Sequence, residues 1–296
     1  MDIQRPGTDL VDALLRALAR LAQALPESRV ESVGRQLGRC WFHVVRYRRR
    51  QALAGLRLAF GGRLDEAALH RLCRENFEHY GVVLVEFLRL PRLSDRALQD
   101  RYTINGLEYA ARARARGKGL IILTAHIGNW EYLAAAQAGW GLDMLVITRR
   151  AHQPGVDRFW QRVRRARGVR FVDAYRSLGE VLRHLRQGGT VGMSIDQHEG
   201  GTTGVRAPFF GREAGTVKAP ALLAARTGCP VILLLSWRGA DGRQHAVFSE
   251  EIPLATDTDL SVVVDRTTRR YNALLEEFIL AHPSQWAWVH RRWKPA

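Results

Sequence analysis

At 296 residues the chain is long enough to bury one full core, and a hydrophobic content of 46% marks it as globular rather than disordered. A formal net charge of +16 implies anionic partners: an acidic phospholipid surface, a phosphorylated sugar lipid, an acidic carrier protein or nucleic acid. Three cysteines without Cys-x-x-Cys or Cys/His ligand spacing imply a reducing compartment and exclude a structural zinc, and no run of eighteen uncharged residues supports a transmembrane helix.

In chain order, the first predicted element is an amphipathic helix from Asp9 to Leu25. Asp12, Arg16, Arg20 and Gln23 form a narrow polar stripe, and leucines cover most of the remainder. It lacks a secretory cleavage pattern, so two readings stay open: a helix lying in a membrane interface, or one packed on the core. A second helix is expected over Ser28 to Val45, ending in Arg46, Arg48, Arg49 and Arg50, a cluster suited to lipid headgroups beside an interfacial helix. Leu64 to Leu90 predicts a long helix with Leu69, Cys73, Phe77, Tyr80 and Leu84 along one face, stopped by Pro91.

From Tyr102 the pattern becomes alternating strands and helices. Strands are expected at Leu120 to Leu123, Met144 to Ile147, Val169 to Val172, Val191 to Ile195 and Val231 to Leu235. Helices are expected at Leu107 to Ala115, Trp130 to Ala138, Val156 to Arg167 and Leu178 to Gln187, with Gly141, Gly168, Gly188, Gly189 and Gly228 as end caps. Gln244 to Phe248 adds an antiparallel strand, and Ser261 to Ala281 a last helix before Pro283. The fold class is therefore α/β, a mixed and mostly parallel sheet flanked by helices, with an α-helical amino-terminal region. The expected division is 1–27 as the membrane-associating helix and 28–296 as the enzyme domain, helical over 28–91 and α/β over 102–296.

The chemistry centres on His126-Ile127-Gly128-Asn129-Trp130-Glu131. On one continuous helix a five-residue step would put His126 and Glu131 on different faces, so the pair works only across a bend. Gly128 permits that bend, and Asn129 caps a helix beginning at Trp130. His126 then sits on the loop at the carboxyl end of a buried strand, where α/β proteins place their catalytic groups. A neutral imidazole oriented by Glu131 takes a proton from an alcohol as it attacks an activated acyl group. The competing explanation is a histidine that merely caps the next helix. No Gly-x-Ser-x-Gly accompanies the pair and the cysteines are scattered, which favours direct transfer over a covalent relay.

Three further segments give this motif its context: Asp196-Gln197-His198, Pro208-Phe209-Phe210-Gly211, and Trp286-x-Trp288-x-His290-Arg291-Arg292-Trp293. Together with His126-x-Gly128-Asn129-Trp130-Glu131 they resemble the bacterial lipid A biosynthesis (late) acyltransferases, within the wider glycerolipid acyltransferase superfamily, from about Arg48 to the end. The resemblance implies transfer of a fatty acyl chain from an acyl carrier protein or acyl-CoA thioester to a hydroxyl of a membrane glycolipid, most simply a lipid A precursor. It implies His126 as base, Glu131 as its partner, no cofactor, and a peripheral or monotopic location on the cytoplasmic face of the inner membrane. The superfamily's Phe-Pro-Glu-Gly-Thr-Arg block is absent, and Asp196 to Thr216 stands in its place, which puts simple glycerol-phosphate acylation in doubt. Other acceptors, such as a lysophospholipid, a mannosylated lipid or an amino-acid lipid, remain an alternative.

Secondary site residues follow from position. Arg149 and Arg150 come after the strand Asp143 to Thr148, at the same sheet edge as His126, and one of them suits a phosphate or a phosphopantetheine arm. Arg206 and Arg212 flank Pro208-Phe209-Phe210-Gly211, and Asp196 is placed to orient a donor or a basic side chain. Gly128 and Asn129 shape the substrate side of the loop. Phe209 and Phe210 are expected in the core or an acyl-tunnel wall, and Arg158, Arg162, Arg164, Arg165 and Arg167 on one exposed helical face. A basic nucleic-acid-binding module is the other functional class, but no helix-turn-helix, zinc finger or RNA-binding signature supports it, and no nucleic acid is expected as partner.

Overall fold

A computed structural model describes residues 6–294, with the side chains of 6–9 excepted. The amino-terminal region is helical: α1 (Pro6–Ala24), α2 (Glu27–Cys40), which runs on into a π turn at Trp41–Val45, α3 (Arg49–Phe60) and α4 (Glu66–Arg89). Asp65 caps α4 by accepting from the Ala68 amide, and Pro91 sits in the short 3₁₀ turn that follows it. Glycine decides how α2 meets α4. Gly34 and Gly38 face Val82 and Glu78 so closely that a Cβ would strike backbone, and Gly81 answers from the other side. The first five residues of the chain lie outside the described residues.

After α5 (Asp95–Gln99) come β1 (Tyr102–Asn105), α6 (Leu107–Arg114), β2 (Leu120–Thr124), α7 (Trp130–Ala136) and β3 (Met144–Thr148). They are followed by α8 (Pro154–Arg165), β4 (Arg170–Asp173), α9 (Leu178–Arg186), β5 (Thr190–Ser194), β6 (Gly204–Phe209) and β7 (Arg212–Val217). The chain closes with α10 (Ala219–Thr227), β8 (Val231–Arg238), β9 (Gln244–Phe248) and α11 (Leu260–Ala281). Seven strands form one sheet in the order β1-β9-β8-β2-β5-β3-β4. The strands β8, β2, β5, β3 and β4 pair in parallel, β9 runs antiparallel to β8, and β1 runs parallel to β9. The mixed, mostly parallel sheet and the antiparallel strand at Gln244–Phe248 are as the sequence predicts. The central strands β2 and β5 are buried over Leu120–Leu123 and Thr190–Met193, which explains their unbroken apolar runs.

Six elements differ from the sequence expectation. β1 and the short helices α3 and α5 carry too few periodic positions to announce themselves. The predicted strand Val169 to Val172 lies one residue further on, at Arg170–Asp173. Of the five glycine caps, Gly141, Gly168, Gly188 and Gly228 hold positive φ, whereas Gly189 does not. The stretch around Pro208 is a separate antiparallel hairpin of β6 and β7, closed by Phe210 and Gly211 at φ 52° and 70°. A two-residue hairpin turn requires that left-handed geometry, which Gly211 adopts freely and Phe210 adopts with its ring 6.0 Å from those of Trp288 and Phe60. Phe209 is fully buried in the core beside Trp286.

Candidate active site

The parallel register of β2 and β5 builds the site. Thr124 pairs with Ser194, and the Ile195 amide donates to the Thr124 carbonyl at 3.1 Å, so residues 126 and 196 leave the sheet side by side at its carboxyl edge. Asp196 accepts twice from His126: Nδ1 lies 2.9 Å from Oδ1, and the backbone N–H donates to Oδ2 at 2.8 Å. Oδ2 also accepts from the Trp286 indole N–H at 2.9 Å. Burial favours a neutral carboxyl at Asp196, but the facing imidazole and these donors outweigh it and hold its pKa at about 2. Burial likewise opposes a charged His126, and the Asp196 carboxylate reverses that, raising the imidazole above its ordinary value. An ionised acceptor at Nδ1 fixes the tautomer with its proton there. Nε2 is left as the acceptor, with the Gln197 side-chain nitrogen 3.3 Å away.

Asn129 caps α7 as expected, its Oδ1 accepting from the Tyr132 amide at 3.0 Å. Its side-chain N–H donates to Glu86 at 2.8 Å, and Glu86 also accepts from Arg238 at 2.5 Å. Gly128 has φ 61° and lies so close to the Ser236 carbonyl that a Cβ would collide with it. The carboxyl-terminal strap fixes the loop from above. Ile127 bridges to Trp286, Gly128 N donates to the Gln285 carbonyl at 3.1 Å, and Ala287 N donates to the His126 carbonyl at 3.0 Å. The tryptophan-rich motif at the end of the chain is thus part of the mounting of His126, a role its composition did not disclose.

Glu131 corrects the sequence expectation. It is buried, with 4% of its side chain exposed, and both its oxygens are held by Arg164, at 2.6 and 2.9 Å, with the Trp130 indole N–H at 3.2 Å from Oε1. The carboxylate on the imidazole nitrogen is that of Asp196, while Glu131 supports a positive charge on His126 only through space. Arg164 is corrected with it: instead of belonging to a solvated face, it is 18% exposed and lines the same cavity as Glu131. The signal for Asp196 was present in the sequence as an acid directly after a buried strand, but its partner lies 70 residues away.

His126, Glu131 and Arg164 face a cavity of about 310 Å³ that runs along β3 from Thr148 to Met144, roughly 13 Å at the rise of an extended strand. His126, Gln197, Glu199 and Arg149 stand with Thr148 at the sheet's carboxyl edge, and Leu133, Ala134, Met144, Val146, Val169 and Phe171 line the deeper part. Arg149 forms an ion pair with Glu199 and lies over the Tyr175 ring, whereas Arg150 is 77% exposed and lines a different groove. Arg206 and Arg212 are exposed on the hairpin and do not line the cavity. Cys73 and Cys229 are buried with thiols pushed up by desolvation, Cys73 to about 12, and no cysteine lines the cavity. The arrangement offers a proton acceptor backed by a buried carboxylate at the mouth of an apolar pocket.

Comparison with known proteins gives a family. The family model for bacterial lipid A biosynthesis acyltransferases matches residues 6–295. The lipid A biosynthesis lauroyltransferase of Escherichia coli (strain K12) is 24% identical, over 93% of this chain and 88% of its own. The lipid A biosynthesis myristoyltransferase of the same organism is 26% identical, over 92% of this chain and 83% of its own. A phosphatidylinositol mannoside acyltransferase of Mycobacterium tuberculosis (strain ATCC 25618 / H37Rv) is 26% identical, over 74% of this chain and 69% of its own.

Proposed function

The chain belongs to the bacterial lipid A biosynthesis acyltransferase family, and we propose that it moves a fatty acyl chain from an acyl carrier protein thioester, or acyl-CoA, to a hydroxyl of a lipid A precursor. The observation that supports this best is the apolar cavity that ends at His126. The acyl chain occupies that cavity with its thioester carbonyl at the mouth. His126 Nε2 displaces its contact with Gln197, takes the acceptor's hydroxyl proton as the oxygen attacks the carbonyl, and returns the proton to the departing thiolate. Asp196 holds the tautomer and stabilises the imidazolium. Glu131, tied to Arg164, adds negative potential at longer range and shapes the wall.

The protein works at the inner membrane, on its cytoplasmic face, as a peripheral or monotopic enzyme. Among the described residues no helix is long and apolar enough to cross a bilayer. Support comes from α1, which turns Asp12, Ala19 and Ala22 inward and leaves Leu10, Leu14, Leu18 and Leu21 exposed at 73%, 58%, 44% and 68%. The test is transfer by the purified protein from labelled acyl carrier protein thioester to a panel of lipid acceptors. Label on a lipid A precursor, lost in His126→Ala, is the expected result. Label carried instead by a phosphatidylinositol mannoside would move the acceptor to the mannosylated class, which the mycobacterial relative favours.

A further inference from the structure

Beyond Phe171 and Thr148, which line both spaces, a second and more polar groove of about 790 Å³ adjoins the acyl cavity. Its guanidinium groups are those of Arg150, just past β3, and of Arg158, Arg162 and Arg165 on α8. α8 buries Gly155, Phe159 and Val163 against the core, so its arginines line the groove instead. Two carboxylates share the groove: Asp157 accepts from the Ala151 amide and Asp173 from the Tyr175 amide, each at 2.9 Å, and Asp173 also pairs with Arg150 at 3.8 Å. Arg165 lies 5.6 Å over the Phe171 ring, on the partition itself. We propose that this groove binds the phosphate-bearing headgroup of the lipid acceptor, an inference that rests on the acyl-transfer reading.

Three observations lead there. Guanidinium groups present paired donors that match phosphate oxygens, and here four of them line one groove. The groove is tied to the membrane-facing helix: Arg162 grips Asp12 of α1 at 2.9 and 3.2 Å, two residues before the exposed Leu14. A headgroup lying at the level of α1 therefore reaches the groove without leaving the interface. Finally, the shared wall of Thr148 and Phe171 means that a molecule anchored by phosphate on one side is next to the space that contains His126. The donor chain fills the apolar cavity while the acceptor approaches from the arginine side.

The experiment uses the full chain in neutral detergent micelles, with labelled acyl carrier protein thioester and two acceptors: a phosphorylated glucosamine-disaccharide lipid and the same lipid after phosphatase treatment. The wild-type protein should prefer the phosphorylated acceptor, and inorganic pyrophosphate should compete with the acceptor but not with the donor. Arg158→Ala combined with Arg165→Ala should raise the acceptor's KM about tenfold, leave the donor's KM unmoved and erase the preference, with only partial rescue by the paired Lys substitutions. If the double variant does not fold, Arg150→Ala, whose side chain is 77% exposed, is read in the same way. Arg186→Ala, on the exposed end of α9 at the opposite sheet edge, is the charge control. A raised donor KM, an equal loss with both acceptors, or the same effect from Arg186→Ala would overturn the proposal. Sedimentation with phosphatidylcholine vesicles carrying the phosphorylated lipid separates it from the catalytic reading. If the wild type transfers to neither acceptor, that reading fails, and phosphate-dependent vesicle binding, lost or kept in the groove variants, still decides the groove.

Discussion

At the scale of single residues the site divides into a dyad that titrates and an ion pair that holds shape. His126→Ala should lower acyl transfer by about 10² to 10⁴-fold or more, with circular dichroism unchanged. Asp196→Asn tests the dyad more sharply, because Asp196 is what lifts the imidazole above its ordinary value. A base works in its neutral form, so in the wild type the rate falls as pH drops through that raised pKa. Asp196→Asn should shift the acid limb of kcat/KM to lower pH while reducing the plateau about 10²-fold or more; an unmoved limb would remove Asp196 from the proton path. Glu131→Gln should act differently. It strands the guanidinium of Arg164, 18% exposed, and removing one partner of such a pair costs about 3–5 kcal/mol, so a lower melting temperature should accompany any lost rate. Arg164→Met added to Glu131→Gln should restore much of the stability. The sequence made His126 legible through its loop, and Asn129 through its cap. It concealed the pairing, because His-x4-Glu is visible as spacing whereas Asp196 reaches His126 only through strand register.

At the scale of elements, α1 and the carboxyl-terminal strap were the hardest to place, and for the same reason: each is defined by what it packs on. The amphipathic pattern of α1 admits two orientations, and the side chain that decides between them is Asp12, buried because Arg162 lies 150 residues away to meet it. With Leu14 and Leu18 exposed, replacing both by Asp should leave the melting temperature unchanged and abolish liposome flotation, since each buried leucine contributes about 1.5–3 kcal/mol. Lowered stability with flotation intact would return α1 to a purely structural role. Of the strap's bonds to the site, the one that reaches the buried carboxylate is the indole N–H that Trp286 donates to Asp196. Trp286→Phe keeps an aromatic ring in the core and deletes that donor. It should therefore loosen the carboxylate's hold on its low pKa and alter the acid limb of kcat/KM, leaving the KM of both substrates nearly constant.

Across the whole molecule, the alternation of apolar runs with helical stretches announced a parallel α/β core, because strands buried on both faces leave no polar phase to confuse them. Strand order stayed hidden, since β8, late in the chain, inserts beside β2, and the Gly128 turn packs on the Ser236 carbonyl of that strand. One global consequence is how the fold meets acid. Burial holds His79 neutral with a pKa of about 3, its Nε2–H donating to the Gly128 carbonyl at 3.1 Å, and burial likewise lowers His290 to about 4. A group whose folded pKa lies below its unfolded value contributes stability above the unfolded value and loses it as pH falls. For these two histidines the loss begins near pH 6.5 and continues to about 4 and 3. His126 has the opposite sign, but its raised pKa adds stability only as pH falls towards the unfolded value of 6.5; below that both states hold the proton and its contribution is constant. Asp196 enters later, since a carboxyl held at about 2 loses its contribution only below the unfolded value of 3.8. The net slope between pH 6 and 4 should thus be that of about two histidines, roughly 2.7 kcal/mol per pH unit, easing as His290 titrates near 4. Urea midpoints at pH 7.5, 6 and 5 should fall accordingly, and His79→Gln, which keeps a donor for Gly128 but cannot titrate, should flatten the descent. Midpoints that fall equally in His79→Gln would place the acid sensitivity elsewhere than the buried ring behind the catalytic loop.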